Sequence, residues 1–285
     1  MEKYTLQTPD GERHYLVARP RHTTGPGPAV VFLHGTGGTA AWAAEEARLH
    51  EAAPAAGFTL VAPEAMRPDP TSVAKFLSNP PRWNDGSPAA VPELATDADD
   101  VGFLNAVLDD VVGKGFADPR RISLSGFSNG AGMAFRFAAH AADRLAAVAP
   151  IAGLWWNFGQ TPSRPVPTMY LVGTHDPLIP LRGGTVRLPW GNKLLTRPPV
   201  MHSLESWAVA LNCDPRSLIV RDNDGVREEV FPGATEFRVL TIAGLGHHWP
   251  GGQGQLNPRI AGPAAHAFEL NPELFAFFRR HSREG

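Results

Sequence analysis

Cysteine is nearly absent from this chain: Cys213 is the single one in 285 residues. One thiol cannot close an intrachain disulfide, so no disulfide framework holds the fold. Cys213 reads as a small buried hydrophobe, not as a catalytic thiol. Also missing is any run of about 18 or more apolar residues, which excludes a membrane-spanning helix. Charge of one sign is lacking as well. With a formal net charge of -2, the chain advertises no basic surface to nucleic acid or to an anionic membrane. The 11 histidines are mostly scattered. No H-E-x-x-H or C-x-x-C spacing occurs, so a metal site is not implied, and the serine chemistry read below calls for no organic cofactor. The first residues, Met1 to Leu6, lack the apolar stretch of a secretory leader. The expectation is therefore a cytoplasmic protein, or a secreted one if a leader has been removed. Nothing in these features sets an oligomeric state.

What is present is a core. Hydrophobic residues make up 43% of the chain, enough to fill one large domain. Ala29 to Leu33 is a continuous apolar run ending in a glycine-rich loop, the pattern of a strand buried on both faces. Further strands are expected at Glu12 to Ala18, Thr59 to Ala62, Arg121 to Ser125, Leu145 to Ile151, Thr168 to Val172 and Phe237 to Ile242. Between them lie helical stretches at Ala40 to Ala56, Thr96 to Val112, Ala131 to Ala142, Leu204 to Leu211 and Pro272 to His281. Strands alternating with helices predict an α/β fold, a mostly parallel central sheet with helices on both faces. Two stretches break the rhythm, the proline-rich 63–93 and the segment 176–199. Loops this long in a compact domain are usually functional. They are expected as insertions that wall an active-site cleft within a single domain spanning 1–285.

One motif gives that cleft a chemistry. Gly126-Phe127-Ser128-Asn129-Gly130 has the form G-x-S-x-G and lies between a predicted strand and a predicted helix. This is the turn that lifts a serine hydroxyl out of an α/β-hydrolase sheet. A serine hydroxyl needs a base to take its proton, an acid to orient that base, and donors for the oxyanion. Ser128 is the candidate nucleophile, and the N–H of Asn129 after it is one candidate oxyanion donor. The loop His34-Gly35-Thr36-Gly37-Gly38 follows a buried strand, where the second donor is expected, and Thr36 N–H is assigned to it. His34 is expected to hold that loop. Asp176 directly follows the strand Thr168 to Val172 and is the candidate acid. Asp222 and Asp224 are its rivals, but Asp222-Asn223-Asp224-Gly225 reads as a solvated hairpin turn. His247 and His248 lie in a glycine-rich loop after the strand Phe237 to Ile242, the place for the base. Serine, acid and histidine then follow in the α/β-hydrolase order.

Seven segments stand in a specific order: Gly11 to Pro20, His34 to Gly38, Trp83-Asn84-Asp85-Gly86, Asp100 to Leu104, the elbow at Gly126 to Gly130, Ser203 to Cys213, and Gly246-His247-His248-Trp249-Pro250-Gly251. In these the chain resembles the polyhydroxybutyrate depolymerase-like esterases, allied to the feruloyl and acetylxylan esterases of carbohydrate esterase family 1. The resemblance implies an α/β-hydrolase fold and places the catalytic histidine at His247. The function implied is hydrolysis of carboxylic esters through an acyl-enzyme, with small or oligomeric esters as substrates. An acyltransferase using the same triad is the alternative; a non-catalytic binding module is a third reading, disfavoured by the complete residue set. Of seven tryptophans, Trp83, Trp155, Trp156 and Trp249 are the candidate substrate contacts, in loops near the strand carboxyl ends. Trp42 and Trp207 fall in helical stretches and are expected in the core.

Overall fold

The computed structural model describes residues 1–22, 25–88, 96–156, 160–216, 219–265 and 268–283. The part of the first predicted insertion from 89 to 93 lies outside the described residues.

The chain opens with an antiparallel hairpin of β1 (Glu2–Thr8) and β2 (Gly11–Ala18). Next come β3 (Gly27–Leu33), α1 (Ala40–Glu46), α2 (Leu49–Ala55), β4 (Thr59–Pro63) and α3 (Asp100–Gly113). β5 (Ala117–Phe127) leads into α4 (Asn129–His140), followed by β6 (Ala147–Ile151) and β7 (Thr168–Gly173). A small hairpin of β8 (Gly184–Arg187) and β9 (Leu194–Arg197) precedes α5 (Val200–Ala210). β10 (Ile219–Asn223), β11 (Val226–Val230), β12 (Phe237–Ile242), α6 (Pro258–Ala261) and α7 (Leu270–Arg279) complete the order.

Among the described residues, ten strands form one sheet in the order β1-β2-β4-β3-β5-β6-β7-β12-β11-β10. The run from β4 to β12 is parallel, and an antiparallel pair closes each edge. Strand periodicity explains how both faces are covered. On β3, Ala29, Val31 and Leu33 pack with α3, α4 and α5, while Val30 and Phe32 pack with α1, α2 and α7. The α/β architecture read from the alternation of elements is thus the one the chain adopts.

Two expectations need correction. The alanine-rich stretch Ala40 to Ala56 is two helices, because Arg48 adopts left-handed backbone at φ 56°. The break is held from outside: Asn271 Nδ2 donates to Ala47 O, and the Glu46 carboxylate accepts from Gly254 N and Gln255 N. The segment 176–199 is not wholly irregular, since it contains β8 and β9. Their short, mostly exposed strands carry no apolar alternation to betray them.

Three of the motifs behind the resemblance meet in one brace beneath the site. Arg13 on β2 pairs with Asp100 at the start of α3 at 2.7 Å, both side chains buried. Asp100 also accepts from Asn84 N at 2.7 Å, and Arg13 lies 3.7 Å from the Phe103 ring centroid. Arg136 on α4 donates to Asn84 O. Burial pushes the Asp100 carboxyl up and the Arg13 guanidinium down, each opposed by the other's charge. Removing one member would strand a buried charge, at a cost of about 3–5 kcal/mol.

Candidate active site

β5 and α4 meet at Ser128, whose backbone sits at φ 57° and ψ -119°. This is sterically expensive for a residue with a side chain, and strain of this kind is held only where the surroundings over-determine it. Here they do. A Cβ on Gly126 would stand 2.1 Å from Gly130 O, and one on Gly130 would stand 2.2 Å from Leu33 O. Glycine at both positions lets strand, helix and the neighbouring β3 close around the turn. Ser128 N donates to Ile151 O at 2.9 Å, fixing the turn to the end of β6.

The loop after β3 is braced through its backbone. His34 is fully buried. Ala65 N–H donates to its Nε2 at 3.0 Å, so the proton is on Nδ1, which donates to Gly35 O at 2.8 Å. Burial holds His34 below its ordinary pKa, in keeping with this neutral tautomer. Trp83 Nε1 donates to His34 O at 2.9 Å. The Asn129 side chain then grips the Trp83 backbone twice, accepting from its N at 2.8 Å and donating to its O at 3.1 Å. The loop bearing Thr36, the segment bearing Trp83 and the N-terminus of α4 are therefore one hydrogen-bonded unit. As the first residue of α4, Asn129 has an N–H with no intrahelical acceptor, and such groups at helix starts attract negative charge.

Asp176 lies just past β7 and His247 past β12, at adjacent parallel strands. Asp176 Oδ2 accepts from His247 Nδ1 at 2.7 Å, and its Oδ1 accepts from Leu178 N and Ile179 N at 2.8 Å each. The carboxylate side chain is fully buried. Its contact puts the His247 proton on Nδ1 and leaves Nε2 with a lone pair. Phe127 packs against the His247 ring at a 42° tilt, with centroids 4.7 Å apart. His248 points elsewhere, its Nε2 donating to Gly262 O at 3.0 Å. Asp222 is 70% exposed on the β10–β11 hairpin, so it is no rival to Asp176.

Ser128, Asn129, Thr36 and His247 line one cavity of about 720 Å³, within the range of small-molecule sites. Ser128 and His247 share it without a direct hydrogen bond among the described contacts. Unliganded sites often hold that contact long and tighten it when substrate binds. Both segments that broke the sequence rhythm contribute walls: Phe76, Leu77, Arg82 and Asp85 from one, Leu178, Leu188, Trp190 and Arg197 from the other.

The aromatic expectations divide. Trp156 and Trp249 line the cavity. Trp83 and Trp155 do not, and their reading as substrate contacts is corrected. Trp83 is fully buried beneath the loop it braces, and Trp155 is packed edge-on to Trp207 at 5.1 Å. Trp42, expected in the core, faces the cavity from α1. Sequence alone also passed over Phe76, whose carbonyl accepts from Trp190 Nε1 at 2.6 Å and whose ring lies 5.3 Å from that of Trp190. Arg197, at the end of β9, carried no sequence signal. Among the described residues, no group of three or more His, Cys, Asp or Glu side chains is placed to hold a metal ion, and no helix is long and apolar enough to cross a membrane.

The phospholipase/carboxylesterase family model matches residues 17–203, a span that includes Ser128 and Asp176 and stops short of His247. NocK of Nocardia uniformis subsp. tsuyamanensis, named as an esterase, is 31% identical over 252 residues, covering 82% of this chain and 69% of that protein. Feruloyl esterase B of Piromyces equi is 31% identical over 172 residues, 58% of this chain and 31% of that protein's length. Among solved structures, acetyl xylan esterase from Aspergillus awamori superposes with a TM-score of 0.64 at 14% identity, over 97% of this chain and all of that one, a likeness of fold. Family model, relatives and fold converge, and the chain belongs to the phospholipase/carboxylesterase family as a carboxylic ester hydrolase of the α/β-hydrolase superfamily.

Proposed function

We propose that this esterase works through an acyl-enzyme on Ser128. The observation that carries the reading is the pairing of a strained serine turn with a histidine whose Nδ1 is held by a buried, doubly anchored carboxylate. His247 Nε2 takes the Ser128 proton as Oγ attacks the ester carbonyl. Asp176 keeps that Nε2 unprotonated beforehand and stabilises the imidazolium afterwards. The N–H groups of Thr36 and Asn129 receive the oxyanion, and the brace through His34, Trp83 and the Asn129 side chain fixes their positions. Fixed donors of this kind need no reorganisation as charge develops. His247 then delivers the proton to the leaving alcohol and activates water to release the acid.

The cavity wall favours an apolar or aromatic substrate part. Trp42, Phe76, Trp156, Trp190 and Trp249 all line it. That supports a substrate range near the aromatic acyl esters named for the feruloyl esterase relative. Ser128→Ala should lower kcat on p-nitrophenyl butyrate by several orders of magnitude while leaving Tm nearly unchanged. A folded variant with unaltered hydrolysis would sink the proposal. Product analysis with water and a sugar alcohol in competition separates hydrolysis from acyl transfer.

A further inference from the structure

Every charged residue lining the cavity has a partner in the protein except one. Glu46 accepts from the backbone N–H groups of Gly254 and Gln255. Asp85 accepts from Ser87 N and Ser87 Oγ and lies 3.6 Å from Arg82, which also donates to Ser87 Oγ. His247 is held by Asp176. Arg197 has no such commitment. Among the described residues its side chain forms no ion pair within 4 Å and no hydrogen bond, and its buried Nε has no partner. The Trp156 ring lies 5.4 Å from its guanidinium carbon.

The position of Arg197 is nonetheless fixed. Its backbone pairs with Gly184 across the β8–β9 hairpin. Pro198 and Pro199 follow it directly, each with φ restricted by its ring. A Cβ on Gly183 would stand 2.6 Å from Arg197 O, so the hairpin closes tightly at this point. Val200 N donates to Leu181 O at 3.0 Å, holding the next residue too. Arg197 is half-buried with its Nε withdrawn from water, and a partly desolvated guanidinium with no contacting anion carries a cost that falls when an anion fills the site. Burial lowers the Arg197 pKa, and only the more distant Asp85 and Asp176 oppose that pull.

We infer that the cavity takes an ester that also carries a free carboxylate, and that Arg197 holds this carboxylate while the ester lies at Ser128. The inference rests on the esterase reading above. Planar guanidinium and carboxylate match in a two-point contact, and the flat Trp156 face beside them suits the intervening carbon chain. The preferred substrates are then half-esters of dicarboxylic acids, or aromatic esters bearing a carboxylate. The wall becomes a specificity device, largely apolar with one cation that has no carboxylate partner among the described residues.

The test compares monomethyl with dimethyl esters of glutaric, adipic and suberic acids, with the acid released followed by pH-stat. For at least one chain length, the protein should show kcat/KM tenfold or more in favour of the monomethyl ester. Arg197→Gln should lose tenfold or more on that ester and stay within about twofold on its dimethyl counterpart, and Arg197→Lys should fall between. Equal loss on both esters in a folded variant, or a preference for the dimethyl ester at every length, would overturn the inference. A binding readout separates this from failure of the esterase reading. Adipamate, which cannot be cleaved as an ester, should raise the Tm of the protein and of Ser128→Ala, but not that of Arg197→Gln. If neither monomethyl nor dimethyl esters are hydrolysed, the Ser128 proposal falls while this shift still supports the anion site. Absence of a shift in all three proteins overturns it.

Discussion

Replacing Asp176 with asparagine tests the site at its most informative atom. Asp176 accepts three hydrogen bonds: Leu178 N and Ile179 N on Oδ1, each at 2.8 Å, and His247 Nδ1 on Oδ2 at 2.7 Å. Asparagine keeps one carbonyl oxygen. Two backbone donors converge on the Oδ1 position and will hold that oxygen there, so the amide NH2 must take the Oδ2 position facing His247. An NH2 group only donates, which forces a lone pair onto Nδ1 and the proton onto Nε2. Nε2 is the atom that should receive the Ser128 proton. The equivalent change in a serine protease lowers kcat about 10⁴-fold, and the same loss is expected here, about 5.4 kcal/mol at 1.36 kcal/mol per tenfold. Stability should change little, by roughly 1 kcal/mol, because both backbone bonds survive as weaker neutral ones. Steady-state kinetics on p-nitrophenyl butyrate with parallel calorimetry measures both quantities. Asp222→Asn on the exposed hairpin is the control and should match the parent. A folded Asp176→Asn protein within tenfold of the parent kcat would refute the reasoning about the tautomer.

Other perturbations probe the brace and the fold. Trp83→Phe removes the bond from Nε1 to His34 O and leaves a buried carbonyl unsatisfied; calorimetry should show a loss of about 1–3 kcal/mol, and kcat should fall as the Thr36 loop loosens. Gly130→Ala drives a methyl to 2.2 Å from Leu33 O, a backbone atom that cannot turn aside, so soluble folded protein should be lost or Tm should fall by several degrees. The Glu236 carboxyl is pushed up by burial, yet hydrogen bonds from His281 and Arg280 outweigh this and hold it at about 2. A carboxylate depressed in the folded state stabilises above its unfolded pKa, near 4.3, and that contribution is lost as pH falls toward 2. Glu236→Gln should therefore cost about 1 kcal/mol at neutral pH, after allowing for screening at this part-exposed site, and the difference from the parent should vanish in urea titrations near pH 2.

The sequence by itself determined the fold class and the order of the chemical groups. An apolar run such as Ala29 to Leu33 can be stable only when buried on both faces, and G-x-S-x-G between such a run and a helix is a local signal. Asp176 and the pair His247 and His248 were legible because parallel strands present their carboxyl ends on one side, so a residue just past a strand has its place set by local order; the choice of His247 rested on the resemblance of the loop Gly246 to Gly251. The walls were not legible. Trp83 and Trp156 look alike in sequence, both large aromatics in irregular segments. Trp83 is buried because its indole N–H meets His34 O and Asn129 grips its backbone, contacts that span 49 and 46 residues. Trp42 faces the cavity from α1, a helix that Arg48 ends early and that contacts from the far end of the chain hold in place. Arg197 is distinctive only through what fails to reach it. Local periodicity and turn chemistry fix elements and their sequence, but which side of a long loop faces substrate, and which charge goes unpartnered, is set by contacts between distant residues that exist only once the chain has packed.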